Sequence, residues 1–148
     1  MQQNFTSFFI IVTLNKNEAF KICFLLHLVV FFLQNLPKNL QKIGEFAFSS
    51  NRLTSIALPA TLTTIEPNAF SYNQLQILTI QNGVTSIGNE AFMHNLLTKA
   101  AIPKSVKTIG AHAFSNNQLT SVSLKYGLQS IEEYAFFKNK LTNIVIPD

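Results

Sequence analysis

The sequence predicts a β-rich repeat solenoid, in which short units of equal length coil around one axis and stack on one another. Three observations predict this fold class: a leucine that recurs every 22 residues, a strand-like apolar pattern after each leucine, and an Ala-Phe pair followed by asparagine in every unit. The recurring leucines are Leu53, Leu75, Leu97, Leu119 and Leu141.

Other positions keep the same step of 22 residues, and we call each set of equivalent positions a column. The columns run without a gap, so chance self-similarity does not explain them. An isoleucine column comprises Ile43, Ile65, Ile87, Ile109 and Ile131; an alanine column comprises Ala47, Ala69, Ala91, Ala113 and Ala135. A phenylalanine column comprises Phe48, Phe70, Phe92, Phe114 and Phe136, and an asparagine column comprises Asn51, Asn73, Asn95, Asn117 and Asn139.

Each unit divides into three predicted segments. Leu53, Ile56 and Leu58 follow the pattern L-x-x-φ-x-φ, where φ is apolar, and the alternation at its end predicts a short strand with one buried face. Pro59 ends that strand, because proline cannot donate to a central ladder. The residues around Ile65 fit a second short extended segment, and A-F-x-x-N fits one helical or 3₁₀ turn. One unit is too small to bury its apolar side chains alone, so neighbouring units must stack.

Stacking assigns a role to two of the columns. Equivalent residues on successive turns lie about 4.8 Å apart, so we expect the phenylalanines to form a continuous aromatic stack. The asparagines are interpreted as a ladder whose side-chain amides satisfy backbone groups in the turn of the next coil.

The units from Leu53 to Leu75 and from Leu119 to Leu141 resemble the BspA-like leucine-rich repeats. They read LTSIALP…IEPNAFSYNQL and LTSVSL…IEEYAFFKNKL, and the resemblance covers about Leu36 to Asp148. It implies a leucine-rich repeat solenoid with a parallel sheet on one face. For many relatives it also implies a secreted or cell-surface role in adhesion and protein binding, and it supplies no shared catalytic residues.

Residues 1–35 form a hydrophobic N-terminal segment that does not repeat cleanly. The run Ile22–Leu33 has a length that suits a secretory signal or anchor, but no small-x-small cleavage site follows it. Asn17–Phe20 duplicates Asn89–Phe92, which favours a degenerate repeat that caps the array. A segment without native structure is the third interpretation.

Residues 36–148 are predicted to be the solenoid, with four full units at 53–140 flanked by partial units. The sequence stops just after a predicted strand, which indicates either a fragment of a longer array or an edge that pairs with another copy. The single cysteine, Cys23, excludes an internal disulfide and a cysteine-based zinc site, and is interpreted as a buried thiol.

Composition and motifs argue against an enzyme. Hydrophobic residues make up 47% of the chain and charged residues only 12%, so a packed core is expected. Glu90 and His112 share one slot on consecutive units and are interpreted as a surface contact. His27 and His94 lie elsewhere, so no catalytic, cofactor or metal site is predicted.

Function is expected to reside in the residues that vary between the columns. The outward positions of the first strands form a small, hydroxyl-rich face that suits contact with a protein ligand. The alternative for any one residue is that threonine and serine simply favour a sheet. The candidate protein-binding face comprises Gln76, Ile77, Thr79, Thr98, Lys99, Thr120, Ser121 and Ser123.

A second patch is predicted where the strands end. Lys104, Lys125 and Tyr126 occupy matching or adjacent slots on neighbouring coils, with Lys99 close in sequence. Charge beside an aromatic ring suits an acidic partner or a polyanion, and the alternative is solvated loop charge. No nucleic-acid partner is predicted, because no base-reading pattern repeats with the units.

The sequence therefore predicts a protein-binding module, secreted or at the cell surface, that acts in adhesion or surface interaction. The alternatives are a structural spacer array and an intracellular scaffold fragment of a larger protein. Membrane contact is expected only through residues 1–35, should these act as an anchor, and self-association only through an exposed strand edge.

Overall fold

The structure of the protein is a computed structural model that describes Leu36 and residues 38–147. The interpretations of residues 1–35 as a signal, anchor or capping repeat lie outside the described residues, as does that of Cys23 as a buried thiol.

The described chain is a β-solenoid whose coils each contain about 22 residues, with strands that pair in parallel. The predicted fold class is thereby confirmed. Each full coil has a first strand after its opening leucine and a second strand after the following corner. Nine short strands occur in the described part: β1 Lys42–Ile43, β2 Ser55–Leu58, β3 Thr64–Ile65, β4 Ile77–Ile80, β5 Ser86–Ile87, β6 Lys99–Ala101, β7 Thr108–Ile109, β8 Ser121–Ser123 and β9 Ser130–Ile131.

The second strands carry the sheet that runs through all the described coils. They form a five-stranded parallel sheet in the order β1-β3-β5-β7-β9, with the isoleucine column in register from Ile43 to Ile131. Each strand is only two residues long, but the Thr-Ile or Ser-Ile pair is nearly constant, so every coil offers its neighbour the same backbone and the same inward side chain.

The first strands form two separate pairs, β2 with β4 and β6 with β8, instead of one sheet. Strands β4 and β6 lie side by side without a ladder between them. The coils remain joined just before this break, since the Leu96 N–H donates to the Leu75 carbonyl over 3.0 Å.

The A-F segment is not the predicted helical or 3₁₀ turn. It consists of tight turns, such as the one closed by the Ala69 N–H donating to the Glu66 carbonyl over 3.2 Å. Between these residues Asn68 has φ 56°, and a left-handed residue cannot continue a right-handed helix. The turn instead joins the coils, because the Phe70 N–H donates to the Ala91 carbonyl over 2.8 Å.

Left-handed residues recur at two positions of every coil, immediately before the alanine column and immediately before the asparagine column. A non-glycine residue held there costs on the order of 1–2 kcal/mol, which the hydrogen bonds between coils must offset. The ten non-glycine residues concerned are Phe46, Ser50, Asn68, Tyr72, Glu90, His94, His112, Asn116, Tyr134 and Lys138.

A β-branched residue is expected to be costly at these positions. Glu90 has φ 57°, and its N–H donates to the Ala111 carbonyl over 2.9 Å. The free energy of unfolding of Glu90→Val should be about 1–2 kcal/mol lower than that of Glu90→Asn, because asparagine tolerates the left-handed region and valine does not. Urea denaturation followed by circular dichroism measures the difference, and equal stabilities of the two variants would contradict it.

The core is built from stacked columns. Phe70, Phe92 and Phe114 are fully buried, and five phenylalanine rings form one stack from Phe48 to Phe136. Neighbouring ring centroids lie 5.2 to 5.5 Å apart and the rings are within 16° of parallel. Each coil is therefore locked to both neighbours by the same side chain.

The asparagine column satisfies backbone groups in the turns. The Asn73 side-chain amide donates to the carbonyls of Phe48 and Phe70 over 2.8 and 3.1 Å, and its oxygen accepts from the Leu53 N–H over 3.0 Å. The neighbour served is the preceding coil, not the next coil as expected. Backbone N–H groups in the turns donate to acceptors on the following coil. The Leu53 N–H accordingly donates to Asn73 of the following coil, so the Asn73 side chain serves the coil before its own.

Candidate functional site

The candidate binding face is the outward side of the first strands. In β2, residues alternate between exposed and buried, which places Ile56 and Leu58 in the core and the intervening residues on the surface. The same alternation holds for Lys99, Ala100 and Ala101 in β6. All eight predicted face residues are exposed: Gln76, Ile77, Thr79, Thr98, Lys99, Thr120, Ser121 and Ser123.

Parallel pairing brings several of these residues together. Lys99 lies opposite Ser121, and Ser123 lies opposite Ala101, in the β6–β8 pair. Thr98 and Thr120 are joined by the backbone, since the Thr120 N–H and Oγ1 both donate to the Thr98 carbonyl, over 2.9 and 3.2 Å. The three residues on or beside β4 belong to the other pair, so the break between β4 and β6 divides the face in two.

Ile77 and Lys99 stand out from this otherwise small and neutral face. Ile77 is 64% exposed, although it is a large apolar residue in a strand. Lys99 is also exposed, and it takes no part in the ion pair found among the described residues, which joins Lys42 to Glu66 over 3.1 Å. Ile77 can bury apolar area against a partner, and the charge of Lys99 can orient that partner.

The second predicted patch lies at the corner that follows the first strand. Lys104 and Lys125 are exposed, and Tyr126 is 76% exposed. The structure adds Lys107 to this patch, and sequence reasoning missed it. The Lys107 ammonium donates to the Gly127 carbonyl over 3.1 Å, so this side chain lies against the same corner. The signal in the sequence was that Lys107 lies one coil before Gln129, directly beside the corner.

Glu90 and His112, which were expected to meet at the surface, do not form an ion pair. The described residues contain no ion pair between them within 4.0 Å. His112 instead stacks on Tyr134 with ring centroids 5.1 Å apart, and His94 stacks in the same way on Tyr72 at 4.6 Å. A flat imidazole ring gains more contact from a neighbouring aromatic ring than from a solvated carboxylate.

Residues 38–147 and Leu36 hold no cluster of three or more His, Cys, Asp or Glu side chains arranged for a metal ion. Within the same residues, no helix has the length and apolarity needed to span a bilayer.

The family model described as "BspA type Leucine rich repeat region (6 copies)" matches residues 85–148. The matched part begins one residue before β5 and includes β5 to β9, and thus the half of the binding face that contains Lys99. No curated protein and no solved structure matches the chain.

Proposed function

Since residues 85–148 match the BspA-type leucine-rich repeat family, we propose that the chain is a protein-binding module that acts in adhesion or surface interaction. Leucine-rich repeat solenoids serve as protein-interaction modules, and their stacked units present extended surfaces. The proposed contact surface is the binding face, and the proposed location is secreted or cell-surface.

One observation carries this proposal. A large apolar side chain, Ile77, stands 64% exposed on a strand whose inward positions already fill the core. Isoleucine favours the strand conformation there but buries little area in the core, and its exposed surface gains free energy when a partner covers it. Lys99, on the next coil, adds the only charge on the described first strands.

The size of the face limits the strength of one contact. Four first strands at a spacing of about 4.8 Å, each about 10 to 13 Å long, present a flat area of roughly 200 Å². Stable complexes bury about 800 Å² on each partner. A single face therefore binds weakly, and adhesion requires several contacts at once, because linked sites raise the effective concentration of the next contact.

A crosslinking experiment tests where the partner binds. A photoreactive amino acid at Ile77 should yield an adduct of defined mass when the protein is irradiated with intact cells. The same group at Glu133, which is exposed in the turn that completes the coil, should yield none. Equal yields at both positions would contradict the placement of the contact.

A charge-insertion variant tests the same face without a crosslinker. The combined change Gln76→Glu, Lys99→Glu and Ser121→Glu should lower binding to those cells at least about tenfold, because it places three carboxylates against the partner. The matched control makes the same types of change at exposed positions off the face: Gln129→Glu, Lys140→Glu and Ser50→Glu. Equal loss in both variants would refute the assignment of the face.

A structural spacer is the second candidate function, and the hydroxyl groups favour it. Outward threonines bond to neighbouring coils, for example Thr85 Oγ1 to the Thr63 carbonyl over 3.1 Å, so part of the surface pattern serves stacking. Many more repeats or further domains in the parent reading frame would favour the spacer. Fusion of residues 1–35 to a secretion reporter separates a surface module from an intracellular scaffold.

A further inference from the structure

Charge is unevenly distributed around the coil. Within the described residues, the part of each coil from its opening leucine through its second strand contains no acidic residue, and this part includes the first strand, the second strand and the corner between them. Its basic residues are Lys38, Lys42, Lys99, Lys104, Lys107 and Lys125. The turn that completes the coil contains all five described acidic residues: Glu45, Glu66, Glu90, Glu132 and Glu133.

The lysines on the acid-free part are largely without ionic partners. Among the described residues, only Lys42 is ion-paired, with Glu66. Along the coil, Lys104 and Lys125 lie six and seven residues before the first glutamate slot, whereas Lys107 lies three residues before it. At physiological ionic strength the Debye length is about 8 Å, so the glutamates only partly offset the charge of the corner.

Three of these lysines lie together with an aromatic ring on two neighbouring coils. Lys104 and Tyr126 are equivalent positions one coil apart, and Lys125 is adjacent to Tyr126. Lys107 is held against the same corner by its bond to the Gly127 carbonyl, which leaves its charge intact. We call Lys104, Lys107, Lys125 and Tyr126 the lysine corner.

The lysine corner is local, not a property of every coil. The residues that match Lys104 on the two preceding coils are Asn82 and Ala60, both uncharged. A feature required for stacking would recur with the columns, as the phenylalanines and asparagines do. The concentration of charge on the coils at 97–118 and 119–140 therefore indicates a binding role.

We propose that the lysine corner binds an acidic polysaccharide. Lysine ammonium groups act as hydrated point charges, which suit sulfate or carboxylate groups spaced along a hydrated polymer, and the corner has no arginine for bidentate contact with phosphate. Tyr126 presents an apolar ring to a sugar face. Single-stranded nucleic acids are instead held by several rings that stack successive bases, and the corner has one.

Fluorescently labelled heparin is the probe for the test, with binding followed by fluorescence anisotropy on the full chain. Lys104→Gln with Lys125→Gln should raise the Kd about tenfold at low ionic strength and reduce the salt dependence of binding, since two cationic contacts are lost. The matched control is Lys138→Gln with Lys140→Gln, which removes the same charge from exposed positions on the turn side. The control should retain most of the affinity.

Tyr126→Ala separates ring contact from charge. This variant should weaken heparin binding several-fold while the salt dependence stays unchanged, because no charge is removed. Circular dichroism of each variant verifies that the solenoid remains folded. A folded double variant of Lys104 and Lys125 that binds as tightly as the control would overturn the proposal.

Two competitors identify the class of polyanion. An oligothymidylate or a poly-glutamate of equal charge should displace heparin less effectively than unlabelled heparin does. Stronger displacement by either would overturn the polysaccharide assignment in favour of a nucleic acid or an acidic protein. Crosslinking from Ile77 should be unaffected by the lysine variants. The test of heparin binding at the lysine corner is therefore independent of the test of the proposed protein-binding face.

Discussion

Phe92→Ala is expected to lower the free energy of unfolding by about 3–5 kcal/mol. Phe92 is fully buried, and its ring stacks between Phe70 at 5.4 Å and Phe114 at 5.2 Å. Removal of the ring leaves a cavity and breaks the stack in the middle of the array. Each coil contacts only its neighbours, so both interfaces of the central coil weaken together.

Urea denaturation followed by circular dichroism measures this loss, with Phe137→Ala as the matched control. Phe137 is 47% exposed and contacts Tyr134 edge-on, so its truncation should cost about 1 kcal/mol or less. A loss below about 1 kcal/mol for Phe92→Ala would show that the aromatic stack is not a packed core.

Asn95→Ala is expected to cost about 2–4 kcal/mol, the second largest effect. Asn95 is buried, and its amide nitrogen donates to the Phe70 and Phe92 carbonyls over 3.0 and 3.1 Å. Its oxygen accepts from the Leu75 N–H over 2.9 Å. Alanine leaves these backbone groups without partners away from water, and an unsatisfied buried group costs more than the lost bond itself.

Asn95→Asp distinguishes hydrogen bonding from size. Aspartate keeps the acceptor for Leu75 and nearly the same shape, but it loses the two donors and adds a charge next to carbonyl oxygens. It should therefore destabilise at neutral pH at least as much as alanine does. Asn82→Ala, at an exposed corner position, is the control and should change stability by about 0.5 kcal/mol or less. Stability of Asn95→Asp equal to that of the unmodified chain would contradict the amide ladder.

The residues of the candidate binding face could be predicted from the sequence, but the break that divides the face in two could not. The eight face residues follow from strand alternation, which assigns Ile77 and Lys99 to the surface without any knowledge of neighbours. The break between β4 and β6 does not follow from it, because pairing depends on how two whole coils lie against each other. Lys107 joined the lysine corner only through its contact with Gly127 on the next coil.

The sequence by itself determined the repeat length, the solenoid class and the identity of the inward columns, because a constant spacing of 22 residues can be satisfied only if like residues stack. Tertiary structure alone decided which strands form the continuous sheet, the left-handed turns before each Ala-Phe pair, and the preceding coil as the one that Asn73 serves. The physical reason is that periodicity states which side chains face the core, whereas hydrogen bonds between coils depend on backbone conformation and on the placement of the neighbouring coil.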